Sequence, residues 1–324
     1  MDTVLSCLVT DSVGTGEYTE KFLKNAKEVF GYEAAVALRS PYLALAVAMK
    51  KFSLPAGTKV GLSPLAPLYH MMVIEELGLR PVFIDHDPLT CMPDLNSVVE
   101  RGCSALILFE PFGMLPKKAE IESLGISVIE DMSQSLGASR VETKAGSIGN
   151  FAIYGLEQGS PVTAGGGVLL FAASKRDSPV VKGIEETLPK EMVLTDYNAA
   201  LGLAQLRDLP NTLAKRKELE AAFQMELART RHRTFKQEDE GEGGHYTFPI
   251  ILESGMKDVI IHAKKNGVEA APAFDESIIG RDGFPENECP GARALALRCI
   301  LFPLHEKIGS KDAHTISKVL ATLP

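Results

Sequence analysis

Short runs of branched and small apolar residues alternate with helical stretches through the first two-thirds of the chain, and this alternation restricts the fold more than any other feature. Ala34-Ala35-Val36-Ala37-Leu38, Lys59-Val60-Gly61-Leu62, Pro81-Val82-Phe83-Ile84-Asp85, Ala105-Leu106-Ile107-Leu108-Phe109 and Ser127-Val128-Ile129-Glu130 are too short for helices and nearly continuous in apolar character. Strands buried on both faces of a parallel sheet read this way. Residues 18–30 and 42–51 carry apolar side chains at helical spacing between such runs. The spacing therefore predicts βα units around a mostly parallel sheet, an α/β fold with helices on both faces. Phe151-Ala152-Ile153-Tyr154 and Gly167-Val168-Leu169-Leu170-Phe171 flank a glycine-rich turn, which predicts a hairpin-like pair at the end of the sheet.

Residues 201–229 read as a helix charged on one face and interrupted near its start by Pro210, which cannot donate a helical hydrogen bond. Beyond it, residues 238–244 are polar and glycine-rich, the one stretch with the composition of a disordered segment. A strand over 245–252, a helix over 257–265, a strand over 268–271 and a helix over 313–320 complete a smaller α+β unit. A chain of 324 residues exceeds what one core usually serves. Two domains are expected, 1–210 and 211–324.

A formal net charge of −8, with no basic block, makes nucleic acid and anionic membrane poor partners. The five cysteines, Cys7, Cys91, Cys103, Cys289 and Cys299, form no CxxC pair and lie mostly among apolar residues. That suits buried thiols in a reducing compartment better than disulfides or zinc. No apolar run reaches the ~20 residues of a membrane span, and the N-terminus has no basic segment before an apolar core. A cytoplasmic location is the expectation.

One motif carries chemistry. Val128-Ile129-Glu130-Asp131-Met132-Ser133-Gln134-Ser135-Leu136-Gly137-Ala138 reads as a buried strand delivering an acid at its end. It resembles the "VIEDxxQxxGA" segment of the DegT/StrS-type sugar aminotransferases, which are fold-type I pyridoxal-phosphate enzymes. Gly146-Ser147-Ile148-Gly149, Gly166-Gly167-Val168-Leu169, Ala199 to Leu206 and Leu301-Phe302-Pro303-Leu304-His305 resemble further family fragments in the same order. The resemblance spans nearly the whole chain and implies a fold-type I aminotransferase-like fold with a seven-stranded-type sheet. It also implies a homodimer with sites built across its two-fold axis, a nucleotide-sugar ligand, and pyridoxal or pyridoxamine phosphate as the cofactor. In such enzymes a carboxylate at the position of Asp131 pairs with the pyridine nitrogen and sustains electron withdrawal by the ring. Gln134 matches the residue beside the ring. Without the resemblance, Asp131 would read as an acid ending a strand and capping a turn.

The departures from the family concern the same site. Counting back from Gly166-Gly167 places the Schiff-base lysine at Gly159, and no lysine lies between Lys144 and Lys175. With no amine there is no covalent anchor for the cofactor and no obvious base for its proton shifts. The family's Gly-Thr phosphate cradle becomes Pro41-Tyr42 after Ser40, and proline removes a donor. The family serine on that phosphate aligns with Tyr154, so Ser40, Tyr42 and Tyr154 are read as an altered phosphate site, the two tyrosines filling it or binding another anion. The stacking aromatic aligns near Pro67, with Tyr69 and His70 close enough to form a ring wall. Glu191 stands where a phosphate-binding asparagine belongs. No catalytic residue is assigned and no metal is expected, because the histidines lack ligand spacing and Asp85-His86-Asp87 precedes Pro88 as a turn. The reading is a divergent relative without transaminase chemistry, acting as a binding or regulatory protein, for which no cofactor follows from the residues themselves. The alternative is a pyridoxal- or pyridoxamine-phosphate-dependent aminotransferase or dehydratase on a nucleotide-linked sugar with a replacement base, for which His70 and Tyr154 are the candidates.

Overall fold

The computed structural model describes residues 2–11, 13–237 and 239–324. Among them the strands are β1 (Ala35–Leu38), β2 (Lys59–Leu62), β3 (Arg80–Phe83), β4 (Ala105–Phe109), β5 (Ser127–Asp131), β6 (Ser139–Arg140), β7 (Thr143–Lys144), β8 (Phe151–Gly155), β9 (Val168–Ala172), β10 (Gly241–Glu242), β11 (Phe248–Ile251), β12 (Ala271–Pro272) and β13 (Cys299–Phe302). Seven of them form the central sheet in the order β1-β9-β8-β5-β4-β2-β3. Its pairs from β3 to β8 are parallel, while β9 runs antiparallel to both β8 and β1. The fold is α/β with a mainly parallel sheet, as the alternation of runs implies.

The sheet is buried on both faces because alternate residues of each strand enter different cores. Ile129 and Ile153 join the cluster built on Leu38, Leu45 and Val60. Ala152 and Tyr154 join the opposite one with Phe22, Leu169 and Phe171. The β8–β9 pair is not at the sheet's end, since β1 zips onto β9 with Ala35 to Leu38 opposite Phe171 to Val168. Every residue of β9 is buried. An unpaired edge there would bury backbone groups without partners, and β1 removes that cost.

Pro210 does not interrupt its helix, which runs unbroken over Asp196–Leu227. The lost hydrogen bond is outweighed by packing along its whole length. Gly202 lets Phe22 of the Glu17–Phe30 helix approach so closely that a Cβ at Gly202 would stand 2.6 Å from the ring. Ala199, Leu203, Leu206 and Leu209 belong to the sheet-side cluster. Leu219, Phe223 and Leu227 belong to the core of the smaller sheet β11-β13-β12, with Phe248, Ile300, Phe302 and Val319. One helix thus serves both cores on either side of residue 210. Val268 is not in a strand: its N–H closes the end of the Met256–Lys265 helix on Ala263, and β12 begins only at Ala271.

The polar stretch predicted as disordered is ordered over residues 239–244, and Glu238 lies outside the described residues. β10 pairs with β6, and Asp239 binds the Arg140 guanidinium at 3.0 Å and Lys117 at 3.6 Å. All five cysteines are buried and unpaired with one another. Among the described residues no helix is long and apolar enough to cross a membrane, and no cluster of His, Cys, Asp and Glu could hold a metal ion.

Candidate functional site

Parallel strands direct their carboxyl ends to one side of the sheet, where ligands of such folds bind. Asp131 closes β5 on that side and is fully buried. Its Oδ2 accepts from the Tyr69 hydroxyl at 2.6 Å and bonds His70 Nε2 at 2.8 Å. Its Oδ1 accepts from the backbone N–H and the hydroxyl of Ser133, at 3.0 and 2.5 Å. An ionised carboxylate offers about four acceptor positions, and here all four are taken from within the chain. Burial alone would raise its pKa, but the bonds from His70, Ser133 and Tyr69 hold it below the usual carboxylate value. Burial and the Asp131 charge push the Tyr69 hydroxyl well up, so it remains a donor. Tyr69 opens the Tyr69–Glu76 helix, and its ring meets the His70 ring edge-on at 4.6 Å between centroids. Tyr69 and His70 therefore bind the carboxylate itself instead of forming a wall beside a ring.

The other predicted positions do not converge on Asp131. Gln134 turns its side-chain oxygen to the backbone N–H of Phe112 at 3.2 Å. Ser40 caps the Pro41–Lys51 helix by accepting from Leu43 N, and Pro41 removes the next donor. Tyr42 is half-buried against one core while Tyr154 is wholly buried in the core on the opposite face, so the two do not form one altered phosphate site. The Tyr154 hydroxyl exchanges hydrogen bonds with the backbone of Val162, and burial pushes its pKa far up. It is no candidate base. Glu191 is exposed in a short turn. The Asp85-His86-Asp87 turn is only partly solvated: Asp85 accepts from Gly291 and Ala292 at the start of the Pro290–Arg298 helix. His86 is buried between Ser63 and Cys91, its pKa lowered to about 4 by burial, so it is neutral.

Gly159, the expected lysine position, has φ +90°, a backbone in which a lysine would be strained. Its carbonyl accepts from Arg216 at 2.9 Å. Glu157 of the same loop lies beside Gly155, near enough for its charge to act on both Tyr69 and Tyr246. Partial desolvation raises its pKa. Sequence reasoning missed Glu157, although it is the only charged residue between Lys144 and Lys175. It also missed Tyr246, Ser133 as a partner of Asp131, and Arg216, a basic residue at a helical spacing that buries it.

Arg216 is 1% exposed and joins both parts of the chain. It donates to Gly159, to the carbonyls of His245 and Tyr246, and to Glu306 at 3.2 Å. His245 sits between Glu220 at 2.5 Å and Glu242 at 3.1 Å. Desolvation would lower its pKa, but those two carboxylates raise it, so it favours its charged form.

The chain aligns over nearly its full length with proteins of one kind. The sequence profile of the DegT/DnrJ/EryC1/StrS aminotransferase family matches residues 1–321. The chain belongs to this family. Among its relatives, GDP-perosamine synthase of Caulobacter vibrioides is 24% identical, with 84% of this chain and 81% of the relative covered. The aminotransferase TlmJ from Streptoalloteichus hindustanus superposes with a TM-score of 0.87 at 19% identity, over 99% of this chain and 94% of that one. Escherichia coli GDP-4-keto-6-deoxy-D-mannose-3-dehydratase with bound hydrated PLP superposes with a TM-score of 0.86 at 18% identity, over 98% and 95%. These structural likenesses establish the shared DegT/DnrJ/EryC1/StrS fold.

Pyridoxal phosphate does not fit the site as these residues shape it. The four acceptor positions of Asp131 are taken from within the chain, no lysine lies between Lys144 and Lys175, and the Ser40 hydroxyl is turned into its own helix.

A second buried acid lies under the site. Glu110 follows β4 with both carboxyl oxygens buried, next to Glu130, whose carboxylate accepts from the backbone of Gly146, Ile148 and Gly149. Burial and the Glu130 charge raise the Glu110 pKa well above its ordinary 4.5, which favours its protonated form. A raised carboxyl stabilises the fold fully below the unfolded value of 4.5 and loses that contribution as pH rises through the folded value. Between those values stability should fall by about 1.4 kcal/mol per pH unit from this group. Urea unfolding of Glu110→Gln from pH 5 upward is expected to lack that slope, whereas the unaltered protein shows it.

Proposed function

We propose that this chain binds a nucleotide-linked sugar on the cleft side of the sheet as a non-catalytic member of its family, without transamination through a lysine. The observation that carries this is the Asp131 carboxylate, satisfied by Tyr69, His70 and Ser133 with no acceptor left for a cofactor ring. The ligand class is supported by relatives named for GDP- and dTDP-linked sugars. A homodimer is part of the same proposal, carried by family membership.

Titration of GDP- and dTDP-linked hexoses into the purified protein by calorimetry is expected to show binding to at least one of them. In the same protein, added pyridoxal phosphate is expected to give no aldimine absorbance that borohydride can fix. A covalent adduct mapped to a lysine overturns the proposal, as does silence toward every nucleotide sugar.

The likeness to GDP-4-keto-6-deoxy-D-mannose-3-dehydratase and to sugar aminotransferases favours a second reading, an aminotransferase or dehydratase that holds its cofactor non-covalently. It requires a replacement base. His70 is fully buried on Asp131 and Tyr154 lies on the far face, which leaves Glu157. Mass spectrometry of a nucleotide 4-keto sugar incubated with protein and pyridoxamine phosphate separates the readings: turnover abolished by Glu157→Gln supports the second.

A further inference from the structure

The structure assigns Tyr69 as an internal ligand: its phenol holds, on Asp131, the place of a planar aromatic donor, and its removal uncovers a latent site for a pyridinium ring. This rests on the proposed non-transaminating reading and names the residue responsible for it. The Tyr69 hydroxyl lies 2.6 Å from Asp131 Oδ2, the geometry of a charge-assisted hydrogen bond from any aromatic N–H or O–H. The remaining bonds on the carboxylate do not depend on Tyr69. His70 and Ser133 keep Asp131 oriented and favour its ionised form.

The backbone that leads into Tyr69 is tied to residues 277–279. Pro67 bridges to Ser277, Ile278 N–H donates to Ala66, and Ile279 N–H donates to Pro64. Removing the ring should therefore leave a cavity instead of a collapsed segment, because neighbours relax only partly around a deleted side chain. Such a cavity retains an anionic acceptor, which selects an aromatic with one donor over a purely apolar one.

The experiment uses the full chain and its Tyr69→Ala variant, with pyridoxamine phosphate, pyridoxamine and p-cresol as probes, read by calorimetry and thermal shift. Tyr69→Ala is expected to bind pyridoxamine and pyridoxamine phosphate about tenfold or more tightly than the unaltered protein, one charge-assisted hydrogen bond being of that order. p-Cresol should raise its melting temperature by refilling the phenol site. The gain should vanish in Tyr69→Ala/Asp131→Asn. If Tyr69→Ala does not fold, Tyr69→Ser carries the same expectation. Equal binding of pyridoxamine phosphate by the unaltered protein, a gain that survives Asp131→Asn, or no gain for any probe overturns the inference. None of these outcomes depends on nucleotide-sugar binding, so the two proposals can fail separately.

Discussion

Replacing Arg216 with alanine is expected to lower the free energy of unfolding by about 3–5 kcal/mol, the range for removing one partner of a buried ion pair. The side chain is 1% exposed and donates to three backbone carbonyls as well as to Glu306. Glu306 is partly exposed and can rehydrate, which holds the loss toward the lower end. His245 and Tyr246 are half-buried, so their carbonyls rehydrate less readily than that of the exposed Gly159. Lysine at this position should recover little, because a single ammonium cannot reproduce the planar fork that reaches carbonyls on separate segments. Equilibrium urea unfolding gives the number. A loss below about 1 kcal/mol would show that the segments around Gly159 and Tyr246 are held by something else.

Asp131→Ala is expected to cost ~3 kcal/mol, since the buried His70 and the half-buried Tyr69 and Ser133 donors would lose their acceptor together. The sign discriminates between two kinds of site. A carboxylate kept unsatisfied for a ligand destabilises the fold, and its removal stabilises it; one saturated from within does the reverse. The acid limb makes the same point. With its pKa held below the ordinary 3.8, Asp131 contributes stability fully above that value and loses it as pH falls through the folded pKa. Acid unfolding followed by circular dichroism should show this limb in the unaltered protein and a flatter one in Asp131→Asn. Stability unchanged in both variants would contradict the saturated-acid geometry.

Much of the sheet was legible because strand and helix periods differ and the runs are long enough to distinguish them. Lys59–Leu62 and Ala105–Phe109 are strands with the predicted bounds. Pro210 misled because propensity is local, whereas the Asp196–Leu227 helix is held by packing on two cores. Residues 239–244 misled for a related reason: their composition is that of a solvated loop, but β6 and Arg140 supply partners far away in sequence. Within the site, Asp131 stood out because its motif is contiguous. Tyr154 was placed with Tyr42 by alignment, although strand alternation was a signal against it. Ile153 faces the core shared with Tyr42, so Tyr154 must face the other.

The sequence by itself determined the α/β class, the acid at the end of β5, and the absence of a lysine from Lys144 to Lys175, because each is written in consecutive residues. Only the tertiary structure decided what that acid does. Tyr69 and His70 reach Asp131 from a helix some sixty residues away, and Arg216 reaches Gly159 across 57 residues. Hydrogen-bond saturation is a property of three-dimensional proximity, since a carboxylate's four acceptor positions are filled by whatever the fold brings near.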